Sequence, residues 1–409
     1  MTITKEQYLN EIATHPIRHF NINLTNQCNL RCYYCFAEHN PRNLSWETMK
    51  AIIDFAINQY FEKGKWEDTL NFTFFGGEPM LRYEDIIIPS VKYVKDIFSK
   101  KDIEKKYWPG FSMTTNGTLL NRKSLEFFRE HNFSLLLSID GNEESQNVNR
   151  PKVDGSGSFQ EVKKNIPDLL ELFPNTTFRS TLTPKTVDKI MDNYFFAQDM
   201  GFNSYFLIPN ECEPWNEEQK LMLTYQMGIM GEYFYDCVSQ QITPLYFSPL
   251  MKAFENLLVP PKFSKSVYRC GLGTASVGIS TEGKISGCQE YSSYIENNDL
   301  FYIGDVFNGI DIDKHLVLLN SYMAEEHIKP NNSECNPEKC ICYDMCNRNT
   351  CPSKNYTLYK NMNLTSDIIC HWKRVCYYTA ENLLEKAAKE NNQNFKNYLK
   401  FYLPQGRNH

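Results

Sequence analysis

The sequence predicts an α/β fold, with parallel strands and helices alternating over the first half and a small cysteine-rich domain after it. Three observations predict this. Strand-like runs alternate with amphipathic helical stretches six times in series, the pattern turns helical and irregular after Trp215, and beyond Cys270 the cysteines become dense.

The strand-like runs fall near Phe20–Leu24, Leu70–Phe75, Phe111–Thr115, Ser134–Ile139, Thr176–Leu182 and Tyr205–Ile208. The first helical stretch, Ser45–Glu62, has Ser45 as an N-cap before the apolar set Met49, Ile52, Ile53 and Ala56. Others lie near Asp85–Phe98, Arg122–Glu130, Phe159–Phe173 and Asp188–Met200, and a last amphipathic helix covers about Val375–Glu390. Six such units argue for parallel strands, curled into a barrel or laid out as an open doubly wound sheet; periodicity alone does not separate the two. Active sites in barrels of this kind sit at the C-terminal ends of strands. The chain divides into an N-terminal extension (1–15), a core (16–235), a connector (236–269), a cysteine-rich domain (270–376) and a C-terminal helix and tail (377–409).

At 409 residues there is ample length for more than one domain. A net charge of −6 without a basic patch excludes nucleic acid as the expected partner. The start has no apolar signal region, and no stretch is apolar enough to span a membrane. Fourteen cysteines without a secretion signal point to a reducing cytoplasm, where crowded thiols mean metal ligation more often than disulfides.

Cys28, Cys32 and Cys35 directly follow the strand-like run His19–Thr25. Three thiolates at C-x3-C-x2-C spacing can hold three irons of a [4Fe–4S] cube and leave the fourth open to a substrate or cofactor. A zinc knuckle, which would want a fourth ligand, and three unrelated thiols are the other readings. At the second strand end, Gly76 and Gly77 let backbone approach a ligand and Glu78 supplies an acceptor, although Gly-Gly-Glu alone is more often a turn. Asn116-Gly117 closes the third strand as a turn signal. Ser138 and Asp140 close the fourth as hydrogen-bonding groups, and Arg150 reads as a fork for a carboxylate or as a surface ion pair.

The triplet, with the aromatic Tyr34 just before its third cysteine, resembles the radical S-adenosylmethionine (SAM) superfamily. The resemblance implies a partial (β/α)6 TIM-like barrel, a [4Fe–4S] cluster whose open iron is chelated by SAM, and reductive cleavage to a 5′-deoxyadenosyl radical. It places Gly76, Gly77 and Glu78 at the methionine amino group. Asn116, Ser138, Asp140 and Arg150 fall around the ribose and the methionine carboxylate. Leu207 and its neighbours would flank adenine, although a strand leucine is usually core.

The second set, Cys270, Gly283-x4-Cys288, Cys335, Cys340, Cys346, Cys351 and Cys370, resembles the SPASM extension of radical SAM enzymes that act on peptides. Its middle block reads C-x4-C-x5-C-x4-C, two gaps wider than the family's C-x2-C-x5-C-x3-C. The resemblance implies two auxiliary [4Fe–4S] clusters. Cys335, Cys340, Cys346 and Cys370 would hold the distal one. Cys270, Cys288 and Cys351 would hold the proximal one, its fourth position filled by Cys342 or Cys376 or left open. A zinc ribbon is the competing reading, since Cys-only sites suit either metal. Cys212 and Cys237 fall outside both sets and read as buried thiols.

From about Pro16 to Cys376 the chain is similar to anaerobic sulfatase maturases and to SPASM enzymes that crosslink ribosomal peptides. This implies hydrogen abstraction from a peptide or protein substrate, a net two-electron oxidation, and an electron donor such as flavodoxin or ferredoxin. Maturases carry an Asp base after the second cysteine of the Gly-x4-Cys motif. Here Gln289 and then Glu290 follow Cys288; Gln289 takes no proton, and Glu290 is the candidate base if it points inward. That departure favours a thioether or carbon–carbon crosslink over formylglycine formation. Amino-sugar oxidation and a non-catalytic electron-transfer or metal-storage protein are the other readings. About fifteen residues precede the first strand, too few for the winged-helix domain that pairs with leader peptides. The substrate is then expected to enter the barrel mouth directly or to be presented by a separate leader-binding protein.

Overall fold

The structure, a computed structural model, describes residues 3–63, 69–259, 271–293, 300–321, 329–330, 338–343, 351–362 and 364–403. Cys270, Cys335 and Cys346 therefore lie outside the described residues. An N-terminal turn of helix, α1 (Lys5–Gln7), precedes six parallel strands that stand side by side in chain order: β1 (His19–Asn23), β2 (Asn71–Phe75), β3 (Gly110–Thr115), β4 (Phe133–Ser138), β5 (Phe178–Leu182) and β6 (Ser204–Pro209). Each lies within two residues of its expected position.

The two faces of this sheet differ. Phe20, Phe72, Phe111 and Phe133 stand in register across β1–β4, with neighbouring rings 5.4–6.2 Å apart. This buried ladder packs against Phe55 of helix α2 (Trp46–Lys63) and, past α3 (Ile88–Lys100), against Phe128 of α4 (Arg122–Glu130). The alternate residues Asn21, Thr73, Ser112 and Arg179 are polar and only half-buried. Parallel sheets are normally apolar on both faces. A polar inner face on this one marks where something other than core is accommodated.

Ser45 caps α2 as expected, its Oγ accepting from the Thr48 N–H at 3.0 Å, and Met49, Ile52, Ile53 and Ala56 are all buried. After α5 (Glu143–Asn149), the helix expected over 159–173 is two helices, α6 (Phe159–Lys163) and α7 (Ile166–Leu172). Pro167, in the first turn of α7, has no N–H and its ring would meet the carbonyl four residues back, so the helix restarts. Pro89 does the same at α3, which begins at Ile88 after an irregular turn rather than at Asp85.

Past α8 (Ile190–Asp199) and β6, the stretch read as helical and irregular contains α9 (Glu217–Ser239), the short strand β7 (Tyr246–Phe247) paired parallel to β6, and α10 (Ser248–Leu258). On the other edge, β8 (Ser276–Ile279) pairs parallel to β1, with His19 opposite Ser276. Strands β9 (Lys284–Ser286), β10 (Tyr302–Asp305) and β11 (Gly309–Ile310) continue antiparallel. The result is one eleven-stranded sheet with β7 and β11 at its edges. The remaining helices are α11 (Ile312–Ser321), α12 (Pro352–Tyr359), α13 (Asp367–Lys389) and α14 (Gln393–Tyr402). The helix expected to start at Val375 starts a full two turns earlier. No helix among the described residues is long and apolar enough to cross a membrane.

The N-terminal segment is tied to α11. The Ile3 N–H donates to Asn320 at 2.7 Å, and the Tyr8 hydroxyl meets His315 Nδ1 at 2.9 Å. Burial lowers the His315 imidazole to about pH 4, so the folded protein holds it neutral while the unfolded chain protonates it from about 6.5 downward. Its contribution is therefore complete above about pH 6.5 and lost as pH falls towards 4. Urea unfolding at pH 7 and pH 5 should show a loss of roughly 2 kcal/mol that His315→Gln does not suffer. Equal losses in both proteins would remove the imidazole as the cause.

Candidate functional site

The loop after β1 carries Cys28, Cys32 and Cys35 at the C-terminal end of the parallel sheet, and all three are free thiols. It is pinned from two sides. Arg31 and Tyr33 donate backbone N–H groups to the carbonyls of Pro151 and Asn149 at 2.8 and 2.9 Å. From the β2 end, Gly77 N–H donates to the Thr25 carbonyl at 2.7 Å and Glu78 N–H to the Gln27 carbonyl at 3.0 Å. Gly76 sits at φ +134°, and a Cβ on Gly77 would meet the Gln27 carbonyl oxygen. The paired glycines, read from the sequence as room for a ligand, are thus required by the cysteine loop itself.

Glu78 is fully buried. It accepts from Met80 N–H (3.0 Å), the Thr115 hydroxyl (2.8 Å) and Asn116 N–H (2.8 Å), and burial outweighs these bonds to push its carboxyl up to about 7. It locks the Gly-Gly-Glu turn to the end of β3. Glu78→Ala should cost on the order of 3 kcal/mol in denaturant unfolding, because three buried donors lose their acceptor at once. A cost within error of zero would show that water replaces the carboxylate.

Asn116 continues the brace, donating to Asn29 Oδ1 at 2.9 Å and reaching Cys28 Sγ at 3.8 Å. At the end of β4, Asp140 Oδ2 receives the Tyr34 hydroxyl at 2.6 Å and faces Arg150 Nε at 3.1 Å; Arg150 Nη1 reaches Cys32 Sγ at 3.8 Å. Burial disfavours the guanidinium, and Asp140, Tyr34 and Cys32 together outweigh it. Arg150 is therefore an interior ion pair and not a surface one. Ser138 is buried beside them. Leu207 is 2 % exposed within the hydrophobic core, on the strand face shared with Tyr205, so its backbone rather than its side chain borders the inner face.

The thiols fit a cluster. Backbone Leu30 N–H at 3.4 Å and Asn116 approach Cys28, and Arg150 approaches Cys32, which is how cluster thiolates are commonly supported. Among the described residues, no three His, Cys, Asp or Glu side chains converge on a point that would hold a single ion. A cube, with one thiolate per iron, needs no such convergence.

A cavity of about 270 Å3 opens against this loop. Tyr33, Tyr34, Cys35 and Phe36 form one wall, Asn210, Cys212 and Glu213 after β6 a second, and Glu290, Tyr291, Lys354 and Thr357 from the later part of the chain a third. Gly278 makes the third wall possible. It stands opposite Asn21 on the inner face, and a Cβ there would lie 2.6 Å from Gln289 Cα and 2.7 Å from the Cys288 carbonyl. The turn carrying Glu290 thereby lies on the inner face and points its side chain inward. Glu290 pairs with Lys354 Nζ at 3.2 Å, both side chains about one-fifth exposed, and the ammonium lies 5.0 Å from the Phe36 ring.

Sequence reasoning missed Lys354 and Glu211. Glu211 follows β6, and its position at a strand end was the available signal; Lys354, on α12, gave none. Burial pushes the Glu211 carboxyl up to about 7 against the pull of Lys354, and its Oε2 is buried without a hydrogen-bond partner. Cys212, read as a buried thiol, is exposed and lines the cavity because it sits in the loop after β6; Cys237 is buried as expected. Cys351 precedes α12, and the charges of Glu290 and Cys288 add to burial in raising its thiol, which puts Cys288 and Cys351 in one neighbourhood. Cys342 and Cys376 are buried, and Cys340 and Cys370 half-buried.

Parallel strands, a thiol loop at their C-terminal ends and a cavity beside it give an α/β fold the layout of an enzyme site. Residues 22–197 match the model of the Radical SAM superfamily, so the chain carries a radical SAM domain. A cysteine-type anaerobic sulfatase-maturating enzyme of Clostridium novyi (strain NT) is 25 % identical over 349 residues, 80 % of this chain and 87 % of the relative. The antilisterial bacteriocin subtilosin biosynthesis protein AlbA of Bacillus subtilis (strain 168) is 21 % identical over 361 residues, 87 % of this chain and 71 % of AlbA. Among solved structures, native anSMEcpe with bound AdoMet and Cp18Cys peptide shares the fold at TM-score 0.69 and 18 % identity, covering 92 % of this chain and all of that one.

Proposed function

We propose that this enzyme oxidises a residue of a ribosomally made peptide by two electrons, most simply to form a thioether or carbon–carbon crosslink. The observation that carries the reading is the cavity joining the Cys28–Cys35 loop, the end of β6 and the Glu290–Lys354 pair. In it a substrate group would stand between a radical source and a proton acceptor. Relatives that mature sulfatases and subtilosin support a peptide substrate.

In this reading residues 16–235 form the radical-generating core and 270–376 a SPASM domain. Cys28, Cys32 and Cys35 hold the [4Fe–4S] cluster, and SAM bound there supplies the hydrogen-abstracting radical. Cys288, Cys340, Cys351 and Cys370, with Cys270, Cys335 and Cys346 beyond the described residues, serve two auxiliary clusters. Asn116 and Arg150 support the thiolates of Cys28 and Cys32, and Ser138 and the backbone at Leu207 border the cofactor. Tyr33, Tyr34, Phe36 and Tyr291 exclude water from the cavity. Glu290 accepts the substrate proton at its carboxylate, with Lys354 holding that carboxylate in place. An external electron donor such as flavodoxin or ferredoxin starts the cycle, and a separate protein presents the peptide where the cavity alone does not capture it.

Sulfatase maturation is the second reading, favoured by the coverage of the Clostridium novyi relative. Against it, Gln289 rather than a carboxylate follows Cys288. The test is anaerobic reconstitution with iron and sulfide, reduction and addition of SAM, with candidate peptides followed by mass. Loss of two hydrogens without a hydrazide-reactive aldehyde supports the crosslink. An aldehyde product supports formylglycine formation, and deoxyadenosine without any peptide change in all candidates rejects both.

A further inference from the structure

The Arg150–Asp140–Tyr34 group touches the cysteine loop itself and not only the space beside it. Arg150 Nη1 points at Cys32 Sγ at 3.8 Å while its Nε lies 3.1 Å from Asp140 Oδ2 as an ion pair. The same carboxylate oxygen receives the Tyr34 hydroxyl, and Oδ1 receives the Thr181 N–H at 2.9 Å. The Arg150 guanidinium lies 5.3 Å from the centre of the Tyr34 ring. The two charged side chains are 7 % and 0 % exposed, so neither is free to swing away or to be screened by water.

Reduction adds a negative charge to an iron–sulfur cluster. An N–H donor and a positive charge at a ligand sulfur stabilise the reduced form and raise the potential, and a buried carboxylate a few ångströms further off does the reverse. In a low-dielectric interior both effects are strong. Asp140 lies in ion-pair contact with the Nε side of the guanidinium, while Nη1 faces sulfur. The arrangement is that of a charge pair aimed at a thiolate.

We propose that Arg150 and Asp140 form a matched pair that sets the reduction potential of the cluster held by Cys28, Cys32 and Cys35, Arg150 raising it and Asp140 lowering it. The inference rests on the assignment of that cluster to those cysteines. It assigns Arg150 a role that exists before any SAM is bound, and Asp140 a role opposite in sign.

The test is a redox titration of the reconstituted full-length protein without SAM, monitored by electron paramagnetic resonance. The signal to follow is the one that changes shape when SAM is added afterwards and that is missing from the Cys28→Ala/Cys32→Ala/Cys35→Ala variant. Arg150→Gln should move its midpoint to more negative potential and Asp140→Asn to more positive potential. Arg150→Lys, which keeps the charge, should stay near wild type, and the Arg150→Gln/Asp140→Asn double variant should fall between the two singles. Unchanged midpoints, or shifts of the same sign in both single variants, overturn the proposal. Should Arg150→Gln fail to load iron, the positive shift of Asp140→Asn beside an unshifted Arg150→Lys decides it. A SAM-sensitive signal that survives in the triple cysteine variant instead overturns the cluster assignment, which separates that failure from failure of the pair.

Discussion

Replacing Cys28, Cys32 and Cys35 together by alanine is expected to abolish SAM cleavage and to lower bound iron from about twelve to about eight per chain. Burial pushes the free thiols of Cys28 and Cys32 up to about 12 and about 11, so the loop holds thiolates only when a cation compensates them. Two of the three sulfurs nevertheless have N–H donors placed against them. A loop that is costly to ionise yet furnished with donors fits the metal centre proposed for it. The remaining iron should persist, because Cys288, Cys340, Cys351 and Cys370 belong to other elements. Iron and 5′-deoxyadenosine, measured on the same anaerobic preparations, decide the matter. Unchanged deoxyadenosine would place the SAM-cleaving centre elsewhere, and a wild type with about four irons plus zinc would remove the auxiliary clusters.

The second large effect is expected at Glu290. Glu290→Gln keeps the shape of the side chain and removes its capacity to take a proton. Product formation should fall by on the order of 10²–10⁴, the usual worth of a general base, while deoxyadenosine continues to form. Lys354→Met should act in the same direction. Without the ammonium, Glu290 loses its ion-pair partner and Glu211, already pushed up to about 7 by burial, loses one of the cations that oppose that shift. Lys354→Arg should recover part of the loss. The diagnostic quantity is the ratio of peptide product to deoxyadenosine. If Glu290→Gln lowers both together, the residue supports the fold or SAM binding and takes no proton from the substrate.

Much of this was legible in the chain. The six strands were readable because each is a short run closed by a turn or loop, and the Ser45 cap because its hydroxyl acts on the residue three positions on. Helix breaks at Pro89 and Pro167 were written in the sequence and overridden by the apolar periodicity around them. Strand β7, two residues long, carries no period at all, and the pairing of β8 with β1 depends on sheet geometry that no local pattern encodes. At the site, residues that stand together in the chain were found. Lys354 was not, because its partner Glu290 lies far away in sequence and meets it only after the Gln289 turn settles over Gly278.

The bond between β1 and β8 also imposes an order on synthesis. With β2 on one side, β1 has its other side completed only when Ser276–Ile279 emerges. At ribosomal rates, that strand waits roughly 10–50 s for its second neighbour. During that interval the cysteine loop hangs from an incomplete edge, open to pairing with other chains. A nascent chain stalled before residue 276 would therefore be the form most prone to aggregate.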